Sequence, residues 1–257
     1  MSLKHPPLSN AQRKIHFYAG QQPRAMEPVF ERMIGRIRRF RAINGGTRIL
    51  DLGSGTGWVE ILCARRGIQC RGIDISEEMV SYSRALANEY GVAVDIQVGD
   101  IADGGIGTQQ YDVVIANSIF EHVPDWRTGL RSVFDALVPG GVLYFVTPNK
   151  LSLTSQEYHL FPLYGWLPRA WRKRLRTLLE GPEILHLGFD YNEFNYLHMG
   201  RFLRKIGFRA ALDPLDFIDP ADIAHAKRRA VSLCRAFRPA RWLALAFARN
   251  VKFLCIK

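Results

Sequence analysis

A glycine-spaced turn, Asp51-x-Gly53-x-Gly55-x-Gly57, constrains this chain more than any other feature. It lies between a short apolar run at 47–52 and a helical pattern at 57–66. Glycines let the backbone turn sharply and come close to a ligand with no Cβ in the way. A strand that enters a helix through such a turn is a βα unit. A chain that repeats the unit builds a parallel sheet with helices on both faces.

The rhythm does repeat. Apolar, β-branched runs at 69–73, 92–98, 111–117 and 141–147 read as strands, and helical spacing covers 76–90 and 126–137. Ser76 is the expected cap of its helix, with Glu77 and Glu78 in the favourable first turn. Met79 occupies the third position, so the reciprocal capping box is absent. Right-handed crossovers make the sheet doubly wound, and its ligands bind beyond the carboxyl ends of the strands.

The flanks are different. The segment up to about residue 43 reads as a basic helix, with Phe30, Met33, Ile34 and Ile37 on one face and Asn44-Gly45-Gly46 as its stop. After Pro148, residues 149–190 carry aromatics, prolines and the run Arg169-Ala170-Trp171-Arg172-Lys173-Arg174, and read as a partly helical insertion. A helix at 192–206, a strand at 208–212, two basic helices within 219–247 divided at Pro239, and a strand at 251–256 follow. The expected architecture is α/β, a doubly wound, mostly parallel, seven-stranded sheet. A helical cap spans 1–46 and the main domain 47–257, with insertions at 149–190 and 213–250.

Charge narrows the partners. Lys and Arg total 35 against 24 Asp and Glu, a net charge of +11. Such a surface favours nucleic acid, acidic lipid headgroups or phosphorylated carriers over cationic ligands. The four cysteines, Cys63, Cys70, Cys234 and Cys255, show no C-x-x-C pair and no histidines at ligand spacing, so no metal site is expected. Cys63 and Cys70 sit in apolar company as small buried hydrophobes, which suits a reducing cytoplasm. The first dozen residues are polar, with no apolar signal segment, and no run reaches the ~18 apolar residues of a membrane span. The expected location is cytoplasmic, with peripheral contact at the inner face of the membrane. Nothing in the sequence speaks to oligomeric state.

The glycine turn has several chemistries to be weighed. A phosphate-cradling NTPase loop needs Gly-Lys-Ser/Thr, and here the chain continues Trp58-Val59-Glu60. A dinucleotide fingerprint needs a small residue at the position that Trp58 fills. An acid ends the second strand in Gly72-Ile73-Asp74-Ile75-Ser76, and another follows the third in Gly99-Asp100-Ile101. The fourth strand runs Tyr111-Asp112-Val113-Val114-Ile115-Ala116-Asn117-Ser118, then Glu121-His122-Val123, and Val138-Pro139-Gly140-Gly141 turns into the fifth.

In order and spacing these motifs resemble those of class I S-adenosylmethionine-dependent methyltransferases, the group that includes ubiquinone- and menaquinone-biosynthesis enzymes. The likeness is close over 47–148 and looser over 194–208. It implies a Rossmann-like methyltransferase fold with S-adenosylmethionine as cofactor and no metal. It places Asp51, Gly53, Ser54, Gly55, Thr56 and Gly57 under the methionine part of that cofactor. It gives Asp74 to the ribose hydroxyls, with Ile75 and Met79 beside it, and Asp100 and Ile101 to the adenine. Asn117, Ser118 and His122 complete the set.

Methyl transfer is an in-line displacement in which the protein supplies positioning and a dry site. Glu121 and His122, beyond the fourth strand, and His159, in the insertion, are the candidate catalytic groups, because histidine suits general-base work near neutral pH. Packing is the ordinary alternative for each histidine, and a plain turn for Asp100. Tyr18 and Arg24 are candidates for a lid. The stretch 147–168 resembles methyltransferases acting on quinone precursors, lipids or polysaccharide sugars. The leading expectation is therefore O-methylation of a small, lipid-linked or glycan acceptor.

Two other readings stand beside it. One is an RNA methyltransferase, disfavoured because Asn117-Ser118-Ile119-Phe120 lacks the Pro-Pro-aromatic type of amino-methylating nucleic-acid enzymes. The other is a non-catalytic cofactor-binding scaffold. Aromatics mixed with cations at 166–174 and 235–249 suggest contact with an anionic membrane surface.

Overall fold

The computed structural model describes residues 20–101, 106–154, 163–180 and 192–257. Seven strands form one sheet: β1 (Arg48–Leu52), β2 (Gln69–Asp74), β3 (Asp95–Val98), β4 (Tyr111–Asn117), β5 (Leu137–Pro148), β6 (Ala210–Leu212) and β7 (Asn250–Ile256). Their order is β3-β2-β1-β4-β5-β7-β6. The first five strands pair in parallel, and β7 runs antiparallel to both β5 and β6. The described helices are α1 (Pro23–Arg38), α2 (Trp58–Ala64), α3 (Glu77–Glu89), α4 (Trp126–Ala136), α5 (Arg169–Glu180), α6 (Tyr196–Lys205), α7 (Pro214–Phe217), α8 (His225–Ala236) and α9 (Arg238–Ala246).

Alternation along β1 divides the core. Leu50 and Leu52 face α4 and α6, in a cluster with Leu130, Val133, Met199 and Leu203. Ile49 faces α1 and α2, with Phe30, Ile34, Ile37, Val59 and Leu62. Both faces of the central strands are covered, which is why their sequences are continuously apolar. The helix starts are fixed locally. Ser76 Oγ accepts the Met79 amide (3.3 Å), the Asp125 carboxylate the Thr128 amide (3.2 Å) and the Asn195 side chain the His198 amide (2.9 Å).

Several boundaries differ from the expectations. Helix α1 ends at Arg38, where the Phe40 and Arg41 amides both turn back to the Ile37 carbonyl. Asn44 is a turn residue leading into β1: its side chain accepts the Gly46 amide and its carbonyl the Thr47 amide. Strand β3 is short because it ladders with β2 only from Asp95 to Val98. Strand β5 starts early, at Leu137, opposite Tyr111. Phe208 packs its ring against Phe134 (5.0 Å between centroids) ahead of β6. The break between α8 and α9 falls at Phe237, and Pro239 lies inside the first turn of α9, where a missing N–H is tolerated. Cys63 is buried as expected, whereas Cys70 is only half-buried.

Candidate active site at the carboxyl ends of the strands

Strand order reverses between β1 and β4, and the glycine turn stands at that point. The Gly53 and Ser54 amides both donate to the Ile73 carbonyl (2.8 and 3.1 Å), tying the turn to the end of β2. The Gly55 amide donates to Asp74 Oδ2 (2.9 Å), and Asp74 Oδ1 accepts the Ser76 amide (2.9 Å). One carboxylate thus aligns the turn with the start of α3. Gly57 begins α2 with φ +73°, and a Cβ there would sit 2.8 Å from Ser83 Cβ. Conformation and space both demand glycine at this position. Thr56 Oγ1 donates to the Gln21 carbonyl (2.9 Å), so this hydroxyl fastens the segment ahead of α1 to the turn.

Beneath the turn lies a buried acidic cluster. Asp51 and Glu60 are buried, and burial followed by the neighbouring Asp74 pushes the Asp51 carboxyl well above its usual range. Burial, then Asp51, does the same to Glu60. Among the described residues neither Glu60 oxygen has a hydrogen-bond partner, nor does the buried Ser54 Oγ. A side chain on Gly72 would collide with the Glu60 carboxylate. Sequence reasoning missed Glu60, because an acid in a first helical turn reads as solvent-facing. Its only sequence signal is glycine at 72, an unusually small residue within a strand.

The β4 exit forms the second wall. Asn117 is exposed, and Ser118 adopts φ +58° while its amide donates to the Val146 carbonyl (2.8 Å). A non-glycine residue held there is locally strained, a feature common at functional sites. Ile119 closes against the turn: its Cδ1 lies 2.7 Å from where a Gly53 Cβ would be. Glu121 is buried and accepts the Thr147 hydroxyl (3.0 Å). His122 is half-buried, its amide donating to the Ile119 carbonyl (2.9 Å). Asn192, which the sequence did not flag, holds this exit by donating to the Phe120 and Val123 carbonyls (3.0 and 2.6 Å).

The remaining expected site residues fall as follows. Asp100 is half-exposed at the end of β3. Ile75 is 68% exposed beside Asp74, an apolar side chain facing solvent. Ile101 is buried in the core next to Gly129 of α4, and Met79 is buried in α3. Arg24 is exposed on α1. His159 and Tyr18 lie outside the described residues. The described residues contain no group of three or more His, Cys, Asp or Glu able to hold a metal ion, and no helix long and apolar enough to cross a membrane.

The family described as "Methyltransferase domain" matches residues 18–212, most of the chain and every wall of this crevice. The chain belongs to that family. The methyltransferase domain is 32% identical over 151 residues to a ubiquinone biosynthesis O-methyltransferase of Idiomarina loihiensis, covering 55% of this chain and 59% of the relative. It is also 32% identical over 160 residues to the enzyme of that name from Azorhizobium caulinodans, covering 58% and 60%. The chain therefore spans little more than half the length of these relatives. Among solved structures, an S-adenosylmethionine-dependent methyltransferase from Mesorhizobium loti superposes with a TM-score of 0.58 at 20% identity, over 90% of this chain and 97% of that one. The methyltransferase domain shares that fold.

Proposed function

We propose that this chain transfers the methyl group of S-adenosylmethionine to an oxygen of a small-molecule acceptor, as the names of its ubiquinone-biosynthesis relatives suggest. The observation that carries this reading is the Gly55–Asp74 hydrogen bond, which fastens the glycine turn to the end of β2, with Ile119 of the β4 exit closing against Gly53 beside it. The residues fit the cofactor. The turn presents bare backbone, Ser54 keeps an unpartnered hydroxyl, and Ile75 offers an uncovered apolar face. Each oxygen of Asp74 accepts one amide and retains capacity for a second donor.

In this reading the turn and Asp51 hold the methionine part, Asp74 the ribose, and Asp100 with Ile75 the adenine. When bound, the cofactor supplies an electrophilic methyl group. In this reading His122, half-buried just beyond the β4 exit, accepts the proton of the acceptor hydroxyl. The Thr147–Glu121 hydrogen bond and the Asn192 clamp keep the loop that carries His122 in place. Calorimetric titration with S-adenosylmethionine and S-adenosylhomocysteine tests the reading, since absence of binding to both overturns it. Binding without turnover over a panel of hydroxylated acceptors would favour a scaffold.

The acceptor side is proposed to meet an anionic bilayer. The two basic, aromatic stretches converge: the Trp166 and Phe247 rings stack 6.3 Å apart at 9°. In the helices of these stretches Trp171, Leu178, Leu233, Phe237, Trp242 and Leu243 are all more than half exposed, and α8 buries none of its residues. Apolar side chains interleaved with cations suit the headgroup boundary of anionic lipid better than a nucleic acid. Flotation with anionic vesicles should recover the protein where neutral vesicles do not. Equal, negligible recovery in both would sink this part of the reading.

A further inference from the structure

Away from the crevice, α4 and α6 enclose a groove of about 550 Å³ lined by Arg127, Arg131, His198, Arg201 and Lys205, among others. Among the described residues no carboxylate lines it. Arg127 and Arg131 stand one turn apart on α4, and Arg201 and Lys205 one turn apart on α6. Like charges at this spacing repel and destabilise their helices. None of the four forms a salt bridge among the described residues. Asp125 neighbours the groove without lining it; its carboxyl, held below the usual range by the Thr128 hydroxyl and amide and more weakly by the Arg127 amide and the Arg131 charge, caps α4.

The two α4 guanidiniums are also positioned in advance. Arg127 lies 4.4 Å over the Trp126 ring and Arg131 5.8 Å over the Phe202 ring. Stacking on an aromatic face restricts a guanidinium while leaving its N–H edge free for a ligand. A second groove of about 590 Å³ shares Arg127 and His198 and adds Trp166, Arg169 and Glu193, the last paired with Lys150 and Arg172.

We infer that this groove is a binding site for a phosphate or diphosphate group. Among the described residues, four cations with only Asp125 near Arg131 leave a net positive groove that favours an anion, and fixed guanidiniums match phosphate oxygens in bidentate fashion. The volume suits a small ligand, inside the ~300–1,000 Å³ usual for such pockets. None of the cofactor-turn residues takes part, so the inference stands apart from the proposed methyl transfer.

The test is calorimetric titration of the whole chain with inorganic pyrophosphate at low salt, in the absence of S-adenosylmethionine. Saturable binding is expected, weakened about tenfold or more in R131Q/R201Q, the loss of at least one charge-assisted contact. Arg201→Lys, which keeps the charge without the planar fork, should fall between the two. Affinity for S-adenosylhomocysteine and the circular dichroism spectrum should be unchanged in all variants, which separates a lost site from a lost fold. Parallel arms with a soluble alkyl diphosphate and with phosphatidic acid vesicles identify the source of the phosphate, and variant-sensitive binding in either supports the inference. No saturable heat with pyrophosphate, or equal affinity in the parent and R131Q/R201Q, overturns it.

Discussion

Glu60 faces Asp51 from the first turn of α2, with neither oxygen hydrogen-bonded among the described residues. In the folded chain it favours the protonated form, whereas in the unfolded chain it ionises near 4.5. Folding is therefore least opposed by this group below that pH. The opposition grows as pH rises, until the folded-state carboxyl also ionises. Glu60→Gln removes the titration, so its melting temperature should gain on the parent between pH 5 and pH 8. Each kcal/mol corresponds to about 2–4 °C at this size. A parent that gains on the variant as pH rises would mean that Glu60 is ionised and held by a cation. For His122 the expectation is kinetic. His122→Ala should lower kcat by ~10²–10⁴-fold with S-adenosylhomocysteine affinity retained, and unchanged turnover would remove His122 as the base. The places of Asp51 in β1 and of Asp74 at the end of β2 were legible because acids at strand ends follow the sheet's own logic. Glu60 was not, because helical periodicity does not tell a buried first-turn acid from a solvated one.

Among the elements, the sheet strands were read nearly in place, and the errors fell where pairing or capping overrides local pattern. Proline at 239 looked like a divider because proline ends helices, yet it serves equally well inside a first turn, and Phe237 does the dividing. Asn149, unremarked in the sequence beyond its place after β5, holds the end of α9. Its buried amide donates to the carbonyls of Leu245 (3.3 Å), Ala246 (2.9 Å) and Ala248 (2.8 Å). Asn149→Ala leaves these acceptors without that donor and should cost about 1–3 kcal/mol in urea unfolding. It should also loosen the contact between Trp166 and Phe247, visible as a change in tryptophan fluorescence. A cost below about 0.5 kcal/mol would mean that water replaces the amide. At the other end of the sheet Lys257 Nζ donates to the Phe134 and Leu137 carbonyls (both 2.7 Å), closing α4 by a contact no local pattern announces.

At the scale of the molecule, the α/β class and the position of the crevice followed from strand–helix alternation. The convergence of the two basic stretches did not, since residues 166 and 247 meet only in three dimensions. A ligand that binds the folded crevice alone stabilises the whole domain. At one hundred times its Kd the gain is about 2.7 kcal/mol, so saturating S-adenosylhomocysteine should raise the melting temperature by about 5–10 °C. An unshifted transition would count against a cofactor site at the glycine turn.

The antiparallel β7 has a consequence for how the chain is made. Strands β5 and β6 do not touch each other; each pairs with β7, which lies between them in the sheet and after both in the sequence. During synthesis β1 to β5 can assemble while β6 waits, its ladder partner not yet translated. One side of β5 stays open for the same interval. Completion of the sheet is thus a late, non-local closure, slower than the βα units before it. A nascent chain stalled before residue 250 should expose an unpaired β5 edge to chaperones, although its crevice-forming strands are already in place.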